Sequence, residues 1–296
     1  MCIGGAAFFE MHERLELRVN EDFAYRIFSP SEGVRLGDRV RKITISPSDE
    51  RVGAILAFQS ELQSHGQALY FGWNRRRFYL PDELASAAFF VVNNPPSHRF
   101  SGDESGTAYD ESIACPICGA GREQIGPLRL RLAQLPRVKD IVHASTSEWI
   151  VSARFVEALR AAGETGARFE PIDFRRGRKG ANPTWYQLLP SERLARIASR
   201  TQLGVGPFPA PARDAEYVCP LGDTLGLNRL SELHFSLEEE SAPDVTLTRE
   251  YIGARRGLFT PRRELVLTRK ARDGLIAADI RGLDTEVAHL VSTDAA

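Results

Sequence analysis

Two of the four cysteines stand as Cys115-Pro116-Ile117-Cys118 and are followed directly by Gly119. Two thiols at that spacing on a tight turn can face one metal ion, and the glycine lets the backbone fold back over it. A third thiol, Cys219, also precedes a proline, but Gly222 stands where the second thiol of a matching knuckle would fall. A closed structural zinc site takes four donors. Cys115, Cys118 and Cys219 supply three, and the candidates for the fourth are Cys2, His234, Asp223 or a half-site on another subunit. Three readings stay open: one structural zinc on these residues, a knuckle that holds no metal, or a redox pair of thioredoxin type. A redox pair should open a helix, and Gly119-Ala120-Gly121 speaks against one there.

Other chemistry is thin. His12, His65, His98, His143, His234 and His289 form no His-x-x-x-His or His-Glu-x-x-His pair, so a metallohydrolase has no support. His143 lies near Ser145 and Ser147, yet there is no Gly-x-Ser-x-Gly elbow. Gly119-Ala120-Gly121 and Gly204-Val205-Gly206 lack the rest of a nucleotide-binding fingerprint and read as turns. Arg75-Arg76-Arg77 beside Trp73 and Phe78, and the basic run Arg175-Arg176-Gly177-Arg178-Lys179, have the composition of a phosphate-gripping surface. Solvated loop charge is the commoner use of such runs, and Glu238-Glu239-Glu240 reads as a soluble or partner-facing loop. The expectation is a chain without enzymatic activity.

Lys and Arg total 38 against 39 Asp and Glu, a formal net charge of -1 over 296 residues. That balance provides no global attraction to nucleic acid or anionic lipid. The first ten residues lack a basic leader, Glu10 interrupts their apolar run, and no apolar stretch is long enough to cross a bilayer. With so few cysteines, a cytoplasmic location is expected.

The elements that position the thiols are partly legible. Alternation predicts strands over 23–28 and 68–73, and a stripe of Val52, Ile55, Leu56, Phe58 and Leu62 predicts a helix. A second helix should start at Pro81 and carry Leu84, Ala87, Ala88 and Val91 on one face. Turn formers over 93–107 suggest a domain boundary, and 175–183, 204–213 and 238–244 read as further loops.

The downstream chain repeats itself. Ile150-Val151-Ser152, then Arg154, Leu159, Gly166 and Glu170, lies without a gap over Val266-Leu267-Thr268, then Lys270, Leu275, Gly282 and Glu286. Each copy reads as strand, Ser or Thr N-cap, helix, Gly-marked turn and strand. Upstream, Cys115-Pro116 matches Cys219-Pro220, and Leu128 to Leu132 alternates like Leu233 to Leu237. The second copy is longer between Cys and helix, which suggests an insertion near Glu238. The expected fold is α+β, or mixed α/β. An N-terminal α/β region (1–104) precedes two tandem units of Cys-Pro turn, strand, helix and strand, at 105–203 and 204–296.

With Cys115-Pro116-Ile117-Cys118-Gly119, the partial second motif at Cys219 and the repeated unit, residues from about 105 to 292 resemble the bacterial double-CxxCG motif proteins, an immunity-like group. The resemblance implies a protein that binds and neutralises a cognate toxin by protein–protein contact, with zinc-knuckle cysteines at Cys115, Cys118 and Cys219. Gly222 departs from that pattern, and the N-terminal third carries no part of the resemblance. A knuckle protein associated with nucleic acid, or an enzyme assembled from distant residues, are the alternatives.

Overall fold

The structure, a computed structural model, describes residues 13–97, 99–174, 184–190, 195–209, 218–237 and 243–292. Cys2, His12, His98 and the charged runs at 175–179 and 238–240 lie outside them. The chain divides into two units, Met1–Ala85 and Ser86–Ala296. Both helices and strands are abundant, as a mixed α+β class requires.

In the first unit, β1 (Glu13–Asn20), α1 (Glu21–Ala24), β2 (Val34–Arg35), β3 (Val40–Ile45), α2 (Val52–Ser64) and β4 (Tyr70–Arg77) follow in order. The strands form an antiparallel sheet, β2-β3-β1-β4. Leu15, Leu17 and Val19 alternate onto a buried face of β1, with Ile45 and Ile43 opposite the two leucines. Helix α2 turns Ile55, Phe58, Gln59 and Leu62 inward, the spacing of one helical face.

The strand expected over 23–28 is absent, because a capping signal overrides the alternation. Asn20 accepts a hydrogen bond from Asp22 N–H at 3.2 Å, and Glu21 and Asp22 fill the first turn of α1. The helix at Pro81 forms as α3 (Pro81–Ser86) but stops short of Val91. Aromatic and β-branched residues then make a strand, β5 (Phe89–Val92).

The second unit continues with α4 (Gly102–Ser105), β6 (Ala108–Asp110), β7 (Glu123–Ile125), β8 (Arg129–Leu130), β9 (Ile141–His143), β10 (Trp149–Ser152) and α5 (Ala153–Ala161). Next come β11 (Ala167–Pro171), β12 (Asp173–Phe174), β13 (Trp185–Pro190), β14 (Ala195–Ile197), β15 (Leu203–Gly204) and β16 (Asn228–Arg229). β17 (Leu233–Leu237), β18 (Val245–Leu247), β19 (Leu265–Thr268), α6 (Arg269–Ala277) and β20 (Thr285–Leu290) complete it.

Two sheets of this unit share one plan. The first runs β11-β13-β10-β9, and the second, β14-β17-β20-β5-β19-β18, contains β20-β5-β19-β18 in the same order. All pairings within these four-strand runs are antiparallel. Registers agree as well. Ser152 lies opposite Trp185 as Thr268 lies opposite Phe89, and Val151 opposite Ile141 as Leu267 opposite Val245. Ser152 caps α5 by accepting from Phe155 N–H at 3.2 Å, and Thr268 caps α6 by accepting from Ala271 N–H at 3.4 Å. The extended segments behave alike: Arg129 pairs in parallel with Asp173, and His234 with His289.

One feature departs from a simple tandem array. β13 follows α5 in the chain, whereas its counterpart β5 precedes both helices. With 86–174 and 184–292 taken as halves, each half leads with a strand that completes the other half's sheet. Boundaries at 104 and at 203/204 therefore do not describe this unit. A cut at 104 would remove β5 from between β19 and β20, to which it is hydrogen-bonded. Nor does the extra length of the second half lie near Glu238. Cys115 to Ile141 and Cys219 to Val245 are equal spacings, and the long stretch is the 248–264 loop, where the first half has only the turn 144–148.

The halves share a core of Val151, Phe155, Leu159, Leu188, Val245, Leu267 and Leu275, with an outer cluster under each sheet. Gly274 allows α6 to approach α5, since a Cβ there would lie 2.6 Å from Ala162 Cβ. Two aspartates then tie the halves reciprocally. Asp140 accepts from Ser152 Oγ at 2.9 Å and, across the halves, from Arg281 N–H at 2.9 Å. Asp244 accepts from Thr268 Oγ1 at 2.7 Å and from Thr165 N–H at 3.0 Å. Burial works to raise the Asp140 carboxyl, but the Arg281 N–H, the Ser152 hydroxyl and the Arg281 guanidinium outweigh it and hold the pKa below the usual range. Asp244 is lowered likewise, with Thr268, Lys270 and the Thr165 N–H outweighing burial.

A folded-state pKa below the unfolded value contributes stability that is present above the unfolded pKa and lost as pH falls through the folded one. Asp140→Ala should cost about 1–2 kcal/mol at pH 7, because two partly buried donors, the Ser152 hydroxyl and the Arg281 N–H, lose their acceptor. Urea melts at pH 7 and pH 3 check this: the penalty should shrink at the lower pH, and an equal penalty at both would contradict the assignment.

Candidate metal centre

Each half carries a knuckle between its leading strand and its extended segment. In the first, Cys115 N–H donates to Ala120 O at 2.7 Å and Gly119 N–H to Cys115 O at 2.9 Å. In the second, Cys219 N–H donates to Thr224 O at 2.9 Å and Gly222 N–H to Cys219 O at 2.8 Å. The closing carbonyl falls five residues after the cysteine in both. Pro116 and Pro220 preset the second position of each turn. Gly119 at φ 77° and Gly222 at φ 81° take the left-handed conformation that brings the chain back. This is a turn and not a helix start, so a thioredoxin-like geometry is absent.

The two knuckles face each other. Cys115, Cys118 and Cys219 are buried free thiols. Their sulfurs and a carboxylate oxygen of Asp223 all lie within 4.8 Å of one another. Cys115 Sγ and Cys219 Sγ are 3.6 Å apart, far from the roughly 2.05 Å of a disulfide. Tetrahedral Zn–S bonds of about 2.3 Å would set sulfurs about 3.8 Å apart. Three thiols and one carboxylate in this arrangement could hold a metal ion.

Of the fourth-ligand candidates, the structure brings in Asp223, one residue past the glycine that replaces a thiol. His234 is elsewhere, its ring stacked on His289 with centroids 4.7 Å apart. The crowding is electrostatic as well as steric. Although the Cys118 backbone N–H favours the thiolate of Cys115, burial and the Asp223 carboxylate push that thiol up to about 11. Cys219 is shifted the other way: burial opposes ionisation, but the Leu221 N–H, the Cys115 thiol and the Asp223 N–H prevail. A cation at the centre would relieve this competition for protons.

The 248–264 loop stitches the knuckles together. Tyr251 packs against the cysteines, its carbonyl accepts from Leu225 N–H at 3.1 Å, and Arg255 N–H donates to Cys118 O at 2.8 Å. Arg255 also pairs with Glu111 at 2.7 Å.

The remaining sequence candidates fall away from this centre. Arg75 and Arg77 do not form a solvated loop; they lie on β4 with side chains 7% and 8% exposed, paired to Glu13 at 2.7 and 2.8 Å. His143 is buried and stacked on Trp149 at 4.0 Å between centroids, and burial, with Arg262 nearby, drives its pKa down to about 3. Among the described residues no helix is long and apolar enough to cross a membrane. No protein-family model matches the chain, and no curated protein matches it.

Cobalt titration of the reduced chain should produce thiolate-to-metal charge-transfer absorption. Asp223→Ala should weaken cobalt binding by about tenfold or more, and Asp223→Cys should restore or tighten it. Identical titrations for all three chains would remove Asp223 from the centre.

Proposed function

We propose that the chain is a non-enzymatic binding protein of immunity-like type, which neutralises a cognate bacterial toxin by protein–protein contact and is braced by one structural zinc. The observation that carries this reading is the origin of the four donors. Cys115 and Cys118 come from one half and Cys219 and Asp223 from the other, so a bound ion cross-links the halves. Three thiolates favour zinc over hard cations, and four protein donors fill a tetrahedral shell, the mark of a structural rather than a catalytic ion. Zinc held there would stiffen a scaffold and offer partners a fixed surface.

The resemblance to double-CxxCG proteins adds the toxin. Equal registers and equal cap positions in the two halves support descent from one duplicated module, the feature on which that resemblance leans. The rival role, a nucleic-acid-associated knuckle, loses Arg75 and Arg77 to their pairing with Glu13.

Two measurements test the proposal. Native mass spectrometry should find one zinc per chain, and stripping it should lower Tm by roughly 10 °C or more. Co-expression with the product of the neighbouring gene should give a stoichiometric complex and rescue growth from that product's toxicity. Absence of both complex and protection would refute the immunity role, whatever the zinc content.

A further inference from the structure

The sheet of the first unit is buried on one side only. Leu15, Leu17 and Val19 fill the inner face of β1, so Arg14, Glu16 and Arg18 point outward by alternation. Strand register then sets three rows across the outer face. Arg14 stands opposite Arg76, Glu16 lies between Thr44 and Asn74, and Arg18 lies between Lys42 and Gly72. Arg76 is the middle of three consecutive arginines, and it parts from Arg75 and Arg77, whose side chains are held by Glu13.

Charge is unevenly placed on this unit. Arg26, Arg35, Arg41, Arg51, Arg75 and Arg77 each pair with a carboxylate. On the outer face the balance fails, because four cations meet one carboxylate, Glu16, which lies 3.7 Å from Lys42 Nζ. Arg18 and Arg76 are exposed and have no hydrogen-bond or ion-pair partner among the described residues. The cross-strand pairs Arg14–Arg76 and Arg18–Lys42 set like charges side by side, an arrangement that destabilises a sheet. A polyanion laid on the face would turn both repulsions into attraction. The two pairs are about 13 Å apart along β1, too far for one compact anion to serve both.

We propose that this face binds single-stranded nucleic acid, its phosphates received by Arg14, Arg76, Arg18 and Lys42 and a base lying against Phe78. Phe78 directly follows β4; Arg14 Cζ is 4.9 Å from its ring centroid, and the residue remains 45% exposed. Stacking on an exposed ring beside cations is how sequence-tolerant single-strand sites gain affinity. Gly72 leaves a shelf beside Arg18, since a Cβ there would meet nothing within 4 Å. A glycine inside a strand allows a ligand close to the backbone. Thr44, Glu16 and Asn74 form a polar middle row that suits base edges and offers no apolar ridge to a bilayer. A duplex groove takes a helix or a two-stranded ribbon, not a broad sheet face. The first unit contains none of the metal donors, so the site stands apart from the toxin-binding role and would survive its failure.

Fluorescence anisotropy of the full chain with a labelled twelve-nucleotide oligouridine strand tests the proposal. At about 50 mM potassium chloride the Kd should be about 100 μM or tighter, and a fourfold rise in salt should weaken binding roughly twentyfold to fiftyfold, as three or four neutralised phosphates require. The double variant Arg14→Gln/Arg76→Gln should lose about tenfold or more and show a shallower salt dependence, and Phe78→Ala should lose about fivefold. Arg168→Gln, which removes an exposed cation of the second unit, should change nothing. If the double variant fails to fold, Phe78→Ala and the salt dependence of the unaltered chain decide. No binding at low salt, binding indifferent to salt, or unaltered affinity in either folded face variant would each overturn the proposal. So would an equal loss in Arg168→Gln, or tighter binding to the matching duplex or to phosphatidylserine vesicles.

Discussion

An interior strand of a sheet must be hydrogen-bonded along both edges, and in the second unit each half supplies the interior strand of the other's sheet. β5 lies between β19 and β20, and β13 between β10 and β11. Withdrawing either strand would leave two rows of backbone donors and acceptors without partners inside the fold. Sequence distance is irrelevant to this bond. The β5 residues, which precede α5 in the chain, are as necessary to the second sheet as its own strands, and the shared core around Phe155 and Leu275 depends on both sheets being complete.

Around that exchange the other cross-links fall into place. Asp140 and Asp244 each satisfy a cap in their own half and a backbone N–H in the other. The knuckles meet between the halves and pool four donors that neither has alone. Symmetry then breaks at one loop. Residues 248–264 brace the knuckles through Tyr251 and Arg255.

Much of this was legible in the residues. The spacing of Cys115, Cys118 and Cys219 suggested a knuckle, with or without a metal, and Asp223 stood among the candidates for the fourth donor. The Ser152 and Thr268 caps and the stripe from Val52 to Leu62 marked helices through local chemistry, which is what sequence periodicity records. What escaped was non-local. Phe89 to Val92 looked like the end of a helix because nothing in that stretch reveals the two strands waiting on either side. Asn20, Glu21 and Asp22 did carry a capping signal, but the alternation of the following residues masked it. Arg14 and Arg18 gave no sign at all, since their significance comes from strand pairing with residues far away in the chain.

Separating the halves tests the strand exchange most directly. The chain can be produced as two polypeptides, 1–178 and 179–296, divided between β12 and β13. Circular dichroism and gel filtration should find that the second fragment alone does not fold as a monomer, and that mixing the two restores a one-to-one complex with the melting behaviour of the intact chain. A 179–296 fragment that folds cooperatively by itself would contradict the exchange, because its sheet would then need no β5.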